Sequence, residues 1–222
     1  MRKFIPEKVR LIPKEATKVF EGRIYDVYQW PQKLFDGSTE TFEMLSRADT
    51  VKIIALVNEK ELKSLQNIKS EQMIMNDSNQ EADNLSCDRR KIIITHQTQP
   101  RKDWFYDYPG GRVDAEDESE LEAAKRELRE ETGLVFKNWK LVEVNQPFSK
   151  IDWLVYTFVA SELVTQTQQE LDAGEKIEVL AVSLPELQEL AKSEDPQFLR
   201  FKGFENVKSI NELLSQPELY KY

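Results

Sequence analysis

The sequence predicts a mixed α/β fold, on the evidence of two apolar runs and one clearly bounded helix. Residues 51–57 and 92–95 are almost continuously apolar, which is typical of strands that are covered on both faces. Residues 120–132 carry apolar side chains at helical spacing between a capping Ser119 and a terminating Gly133. A central sheet flanked by helices accommodates both patterns.

The residues ahead of the first apolar run predict an antiparallel ribbon. Residues 17–20, 24–28 and 40–45 are rich in aromatic and β-branched side chains, and the turn signal Asp36-Gly37-Ser38 precedes the last of them. We therefore expect an N-terminal strand extension over residues 1–45 and a main domain over residues 46–222.

A polar stretch separates the two apolar runs. Residues 58–90 are dominated by Asn, Gln, Ser, Asp, Glu and Lys, and their few Leu and Ile residues are thinly spread. The stretch predicts a surface insertion with a short helix near residues 59–68, because so little apolar surface cannot offset the entropy of ordering all of it. Cys87, the single cysteine, lies inside it and excludes an intrachain disulfide, which fits a reducing, cytoplasmic setting.

The second half of the chain predicts more strands and one further helix. Residues 139–144, 153–160 and 176–182 have strand-like composition. Residues 185–191 begin with proline after Ser183-Leu184 and repeat leucine at helical spacing, which predicts a helix.

The overall charge narrows the classes of partner. Forty acidic against thirty-one basic side chains give a net charge of −9, which repels nucleic-acid backbones and anionic lipid. The sequence also lacks an apolar run of the ~18 residues that a membrane span needs. We expect no nucleic-acid partner and no membrane association, and a phosphate substrate would need a cation to counter the repulsion.

The helix over residues 120–132 gathers carboxylates on one face. Glu127, Glu130 and Glu131 converge next to the apolar stripe, and Arg126 stands at i, i+4 from Glu130. Like charges at these spacings destabilise a helix by a few tenths of a kcal/mol per pair, so the collection needs a reason. A bound divalent cation would be such a reason, because carboxylate oxygens are the ligands that Mg²⁺ and Mn²⁺ prefer. The alternative is that these glutamates form a charged helix face exposed to solvent.

The pattern Arg126-Glu127-Leu128-x-Glu130-Glu131-x-Gly133-Leu134, with Glu118 eight positions before Arg126 and a Gly-Gly pair ahead, resembles the Nudix box of Nudix hydrolases. The resemblance implies an α/β/α sandwich with a mixed sheet. It also implies that Glu127, Glu130 and Glu131 hold Mg²⁺ or Mn²⁺, that the Gly110 carbonyl is an extra ligand, that Arg126 orients the carboxylates and that Glu118 braces the helix start. One departure is that six residues, not five, separate Gly111 from Glu118, which a one-residue loop insertion explains.

Outside the box, the layout resembles the ADP-ribose pyrophosphatase branch of that family. The segments that carry this resemblance are residues 19–27, 36–47, 95–111 and 175–179. One departure is that a Ser-Pro-Gly loop of the branch is missing near residues 148–152. The branch implies a homodimer and a base pocket built by the N-terminal strands, with Tyr28 as a stacking residue and Tyr25 or Trp30 as alternatives. It further implies that Arg47, Gln97 and Arg101 contact the substrate.

Two carboxylates are candidates for the base that activates water. The resemblance favours Glu175, with Asp152 as the alternative, whereas His96 is more typical of a hydrogen-bonded structural histidine. The activity implied is hydrolysis of a nucleoside diphosphate sugar, with ADP-ribose first and AMP and ribose 5-phosphate as products. Hydrolysis of another nucleotide sugar, a dinucleotide or a nucleoside triphosphate is the alternative, and a non-catalytic nucleotide sensor on the same fold is a third.

Overall fold

A computed structural model describes residues 2–70 and 89–222. The middle of the predicted insertion and Cys87 lie outside these residues. Within them, the segment 58–70 forms a short helix and a short strand.

The described residues form eleven strands, four α-helices and two 3₁₀ helices. The strands are β1 (Thr17–Phe20), β2 (Asp26–Lys33), β3 (Thr39–Ser46), β4 (Thr50–Val57), β5 (Ile68–Ser70), β6 (Lys91–Thr98), β7 (Phe105–Asp107), β8 (Leu134–Asn145), β9 (Ile151–Asp152), β10 (Val155–Gln166) and β11 (Lys176–Val182). The α-helices are α1 (Glu59–Ser64), α2 (Glu120–Thr132), α3 (Leu184–Lys192) and α4 (Ile210–Ser215), and Pro196–Phe201 and Phe204–Asn206 form 3₁₀ helices.

Two sheets organise the described residues. The larger has the strand order β5-β11-β6-β4-β10-β8, with β7 paired to β6, and it is mixed because β10 runs parallel to β4 while β6 runs antiparallel to it. The smaller has the order β1-β2-β3-β9 and contains the N-terminal strands. The ribbon predicted from the sequence is therefore a separate sheet, joined through β9 to a segment just ahead of β10.

The alternation of side chains along β4 separates two hydrophobic layers. Val51 and Ile53 pack with Leu128 of α2 on one face of the large sheet. Ile54 packs with Leu187 of α3 and with the C-terminal segment on the other face. Helices on both faces of a mixed sheet form the α/β/α sandwich expected from the sequence.

Helix α2 has the bounds that its local chemistry predicts. Ser119 accepts a hydrogen bond from the Glu122 amide, and Gly133 ends the helix in the left-handed conformation at φ 73°. Its buried face includes Ala123, Ala124 and Leu128, which fixes the rotation of the helix and turns its glutamates towards a neighbouring loop.

Several element bounds differ from those predicted. β2 begins at Asp26 and not at residue 24, and β10 begins at Val155 and not at residue 153. The Trp153 indole instead donates a hydrogen bond to Thr50, a contact between distant segments that no local pattern reveals. None of the helices in the described ranges is long and apolar enough to cross a membrane.

Candidate active site

A glycine loop is fastened between the first half of β4 and helix α2. The Val51 amide donates to the Gly111 carbonyl and the Ile53 amide to the Pro109 carbonyl, each at 2.9 Å. Gly110, at φ +148°, passes so close to the Val51 carbonyl that a Cβ atom would overlap it. The loop therefore needs glycine in order to lie this close to the strand.

Glu131 lies beneath this loop. Its side chain accepts a hydrogen bond from the Gly110 amide at 2.8 Å, and the residue is only 5% exposed. Burial, reinforced by the charges of Glu127, Glu175 and Asp107, raises the pKa of Glu131 well above its ordinary value. A carboxylate in these surroundings favours either a proton or a cation.

Arg126 holds the other two carboxylates of the helix. One guanidinium nitrogen donates to Glu127 at 2.9 Å and to Glu130 at 3.0 Å. Its Nε and its second terminal nitrogen both donate to Asp117, at 3.0 and 2.9 Å. The fork of the guanidinium thus fixes the glutamates and the loop at the same time.

The resemblance gives the bracing role at the helix start to Glu118, whereas the carboxylate that accepts hydrogen bonds from Arg126 is that of Asp117. Glu118 is exposed, and the hydrogen bond from Arg126 lowers the pKa of Asp117, which keeps it ionised. Five residues separate Gly111 from Asp117, which is the spacing that the family pattern requires. With Asp117 in the acidic position, the extra residue lies between it and Arg126; spacing counted from Gly111 favours Asp117, and spacing counted back from Arg126 favours Glu118.

Glu127 lies close to the loop as well as to Arg126. A Cβ atom on Gly111 would overlap its carboxylate, so a side chain there would require the Glu127 carboxylate to move. Burial raises the pKa of Glu127 to about 7, against the opposing attraction of Arg126. Glu127 shares Arg126 with Glu130, and Glu131 makes no ion pair among the described residues, so the negative charge of the three glutamates is only partly balanced.

The connection between β10 and β11 brings Glu175 to the end of the same helix. The Glu170 amide donates to the Glu130 carbonyl at 2.9 Å, and the Gln169 amide group donates to the Glu131 carbonyl. Burial raises the pKa of Glu175, and nearby Asp172 and Glu130 add to the shift. Glu175 is thus a carboxyl group at the edge of the carboxylate cluster with a tendency to take up a proton.

Asp152, the alternative base, lies in a different environment. One carboxylate oxygen pairs with Arg2 at 2.6 Å, and the other accepts a hydrogen bond from the Ile12 amide at 2.9 Å. Arg2 also pairs with Asp49 at 2.6 Å. The two oxygens of Asp152 are therefore used to hold the N-terminal arm.

Asp107 is a carboxylate that the sequence reasoning missed. It ends β7, accepts a hydrogen bond from the Tyr108 amide at 2.9 Å and pairs with Arg200 at 3.3 Å. Burial raises its pKa, which Arg200 and Lys52 counteract. Its position two residues before Pro109, at the end of an aromatic run, is the sequence signal that could have identified it.

The four residues predicted to contact substrate are spread over three places. Arg47 lies over the Trp153 ring at 4.5 Å, and its buried Nε has no hydrogen-bond partner among the described residues. Tyr28 is half-buried in β2 of the small sheet. Gln97 is buried in β6 and donates to Thr95, while Arg101 is exposed at φ +65° in the turn that follows. The turn bearing Arg101 adjoins the carboxylates, because Gln99 of that turn contacts Glu175 at 3.4 Å.

His96 lies in a column of aromatic rings. Its ring is 4.6 Å from that of Trp104 and 4.3 Å from that of Tyr106, measured between centroids. Its Nδ1 is 3.4 Å from Glu178. These contacts occupy the imidazole on the sheet face opposite α2.

The chemistry of the donors fits Mg²⁺ or Mn²⁺. Glu127, Glu130 and Glu131 offer oxygens only, and the hydrogen bonds from β4 go to the Pro109 and Gly111 carbonyls on either side of Gly110. Over residues 2–70 and 89–222, no three His, Cys, Asp or Glu side chains already stand in a metal-binding arrangement. Their oxygens face Arg126 and the Gly110 amide instead, and glutamate rotamers would have to turn to receive an ion.

Helix α2 and the glycine loop lie in a segment of the chain that matches a protein-family model. Residues 80–201 match the family model of the NUDIX domain, which covers more than half of the chain. The chain belongs to the Nudix family. The match takes in the whole Nudix helix α2, the glycine loop, Glu175 and Arg200.

Solved structures support the fold assignment. The crystal structure of an ADP compounds hydrolase aligns with 88% of this Nudix chain and 93% of its own length, at a TM-score of 0.57 and 14% identity. A MutT structure, from a study of the proteins of Aliivibrio salmonicida and Vibrio cholerae, aligns with 64% of this chain and 84% of its own. Its TM-score is 0.40 at 20% identity, too distant a likeness to support an argument. No curated protein matches the chain significantly.

Proposed function

We propose that this Nudix protein is a divalent-metal-dependent hydrolase that cleaves the pyrophosphate bond of a nucleoside diphosphate sugar. ADP-ribose is the first substrate to test, and water would add across the bond to give AMP and ribose 5-phosphate. The observation that carries the proposal is that Glu127 and Glu131 lie against a glycine loop with no room for a side chain at Gly110, while Arg126 holds Glu130 beside Glu127.

Each of these residues has a physical task. Glu127, Glu130 and Glu131, with the Gly110 carbonyl, would hold the cation, and Arg126 sets the direction of two of the carboxylates. When bound, Mg²⁺ or Mn²⁺ would neutralise developing negative charge and lower the pKa of the attacking water. Because a cation counters the diphosphate charge, the net charge of −9 is compatible with such a substrate.

Glu175 is the better candidate for the base that takes the proton of the attacking water. It borders Glu130 and Glu131, and burial raises its pKa, which makes it a stronger base for the proton of a water molecule. Asp152 is less suited, because Arg2 and the Ile12 amide already occupy its two oxygens.

The decisive experiment is a hydrolysis assay with Mg²⁺ over a panel of ADP-ribose, other nucleotide sugars, dinucleotides and nucleoside triphosphates. We expect ADP-ribose to give the highest kcat/KM. The similarity of the fold to an ADP compounds hydrolase supports this order of testing. Tight binding without turnover of any panel member would instead indicate a nucleotide sensor, and turnover of another member alone would correct the substrate.

The first variant to test is Glu131→Gln. The amide keeps an oxygen for the Gly110 N–H but removes a charged ligand, so we expect kcat to fall at least ~10²-fold. Thermal stability should be equal or slightly higher, because a buried carboxylate is replaced by a neutral group. Unchanged turnover by a correctly folded variant would refute the metal assignment.

A further inference from the structure

A pair of basic side chains lies on one aromatic ring next to the carboxylate cluster. The Lys102 ammonium stands 3.6 Å and the Arg200 guanidinium 5.5 Å from the centroid of the Phe105 ring. Lys102 belongs to the turn between β6 and β7, and Arg200 to the 3₁₀ helix Pro196–Phe201. Two distant parts of the chain therefore converge on one small basic patch.

The 3₁₀ helix holds Arg200 firmly. Phe201 is fully buried and contacts the Tyr108 ring edge-on at 5.0 Å, while Phe198 stacks on Tyr106 at 5.0 Å. These two anchors lie on either side of Arg200, so its backbone is fixed while the side chain remains about half exposed. A charged group presented in this way loses little conformational entropy when it binds a ligand.

The positive charge of the patch is not balanced by the described residues around it. Asp107 is the only carboxylate that pairs with Arg200 among them, at 3.3 Å, and Lys102 makes no ion pair within the same ranges. The pKa of Lys102 is lowered by burial and by repulsion from Arg200. Lys52 adds a third positive charge that acts on Asp107. An anion placed between these cations would relieve their repulsion.

The patch adjoins the carboxylates on two sides. Asp107, which pairs with Arg200 at 3.3 Å, lies three residues before Gly110, whose amide donates to Glu131 at 2.8 Å. The turn that carries Lys102 also carries Gln99, whose side chain lies 3.4 Å from Glu175. A ligand held by cations at Glu131 would thus have this patch within reach of its further oxygens.

We propose that Lys102 and Arg200 form a phosphate subsite of the substrate pocket. The subsite rests on the proposed function, because it takes its position from the carboxylate cluster. Two phosphates have the chemistry that it recognises, namely the scissile diphosphate itself and a further phosphate on a more highly phosphorylated nucleotide. Arginine supplies the fork and lysine the point charge for such oxygens.

Kinetics of Arg200→Gln and Lys102→Gln with ADP-ribose and with ATP test the subsite. We expect each variant to raise KM about tenfold with kcat changed less than about threefold, because the groups contact the ground state and transition state alike. An increase with ADP-ribose assigns the subsite to the diphosphate, and an increase confined to ATP assigns it to the additional phosphate. KM values that match the wild type on both substrates would overturn the proposal.

Lys192→Gln is the matched control, since it removes the same charge from α3, where Lys192 pairs only with neighbouring Glu189 among the described residues. It should leave both constants unchanged. Glutamine at position 200 retains a donor for Asp107, and Lys102 makes no hydrogen bond to Asp107, so at least one variant tests the patch without disturbing that buried carboxylate.

Binding of inorganic pyrophosphate, measured by calorimetry without divalent metal, separates the subsite from the hydrolase assignment. We expect the wild type and Lys192→Gln to bind alike and both patch variants to bind at least about fivefold more weakly. This result would support the subsite even if no panel substrate were hydrolysed. Equal affinities in all four proteins, or no binding by the wild type, would overturn it.

Discussion

At the scale of single residues, the orientation of the carboxylates depends on the shared guanidinium of Arg126. It donates to Glu127, Glu130 and Asp117 within one hydrogen-bonded group. If one of these carboxylates is removed, the guanidinium will shift towards those that remain. Asp117 therefore affects the position of Glu127 and Glu130, two proposed metal ligands that it does not contact.

Asp117→Asn and Glu118→Gln form a matched pair that tests this dependence. We expect Asp117→Asn to lower kcat about tenfold or more, because Arg126 loses a charged bidentate partner. Glu118→Gln should change kcat less than about twofold, because its side chain is exposed. Steady-state kinetics at saturating Mg²⁺ checks both, and the reverse order would restore the bracing role to Glu118.

The choice of base is also a question of single residues. Glu175→Gln should lower kcat about 10²-fold and leave the free energy of unfolding nearly unchanged. Asp152→Asn should instead destabilise the protein by about 3 kcal/mol, because Arg2 loses a buried partner, and keep most of its turnover per folded molecule. Denaturant unfolding together with kinetics distinguishes them; loss of turnover in Asp152→Asn at full stability would exchange their roles.

At the scale of elements, the C-terminal end of α2 joins the helix to the segment that bears Glu175. Gly133 adopts φ +73°, and its carbonyl accepts a hydrogen bond from the Thr167 amide at 2.7 Å. A Cβ atom at this position would overlap the Thr167 carbonyl. The C-terminal end of α2 therefore fixes the start of the loop between β10 and β11.

Gly133→Ala is expected to destabilise the protein by about 3 kcal/mol and to lower kcat, since both the left-handed backbone and the Thr167 contact are affected. Gly37→Ala is the control, because Gly37 has φ +86° in open space and should lose only about 1 kcal/mol. Unfolding curves and kinetics of the two variants measure the difference. Equal losses would mean that the Thr167 contact does not matter.

The elements that could be predicted from the sequence are those with local signals. Helix α2 has the predicted bounds because Ser119 and Gly133 act within one turn of its ends. β5 and β9 escaped prediction because they have no internal pattern and exist through pairing with β11 and β3, which are distant in sequence. The 3₁₀ helix that carries Arg200 was missed likewise, since Phe198 and Phe201 are fixed by rings of β7 and its neighbour.

The same distinction applies to the candidate site. The three glutamates could be predicted because helical spacing alone brings them to one face. Asp107, Lys102 and Arg200 could not, because only the folding of the chain around β7 brings them together. Neighbours that depend on tertiary contacts leave little trace in a single sequence.

At the scale of the whole molecule, the carboxylate cluster makes stability depend on pH, and would make it depend on the proposed metal ion. Burial raises the pKa of Glu127 to about 7 and raises those of Glu131, Glu175 and Asp107 in the metal-free protein. In the unfolded chain these groups return to ordinary values near 4. At pH values between the unfolded and the folded pKa values of these groups, the folded protein binds more protons than the unfolded chain, so its stability falls as the pH rises.

We therefore expect the Tm of the metal-free protein to fall between about pH 5 and pH 8, and Mg²⁺ or Mn²⁺ to raise it more at pH 8 than at pH 5, because the cation replaces the lost protons. Scanning calorimetry with EDTA or with each metal measures both effects. Glu127→Gln is the control: it removes one titrating ligand, so it should flatten the pH dependence and weaken the metal effect. A metal shift of equal size at both pH values, unchanged in Glu127→Gln, would place the bound ion elsewhere than on this helix.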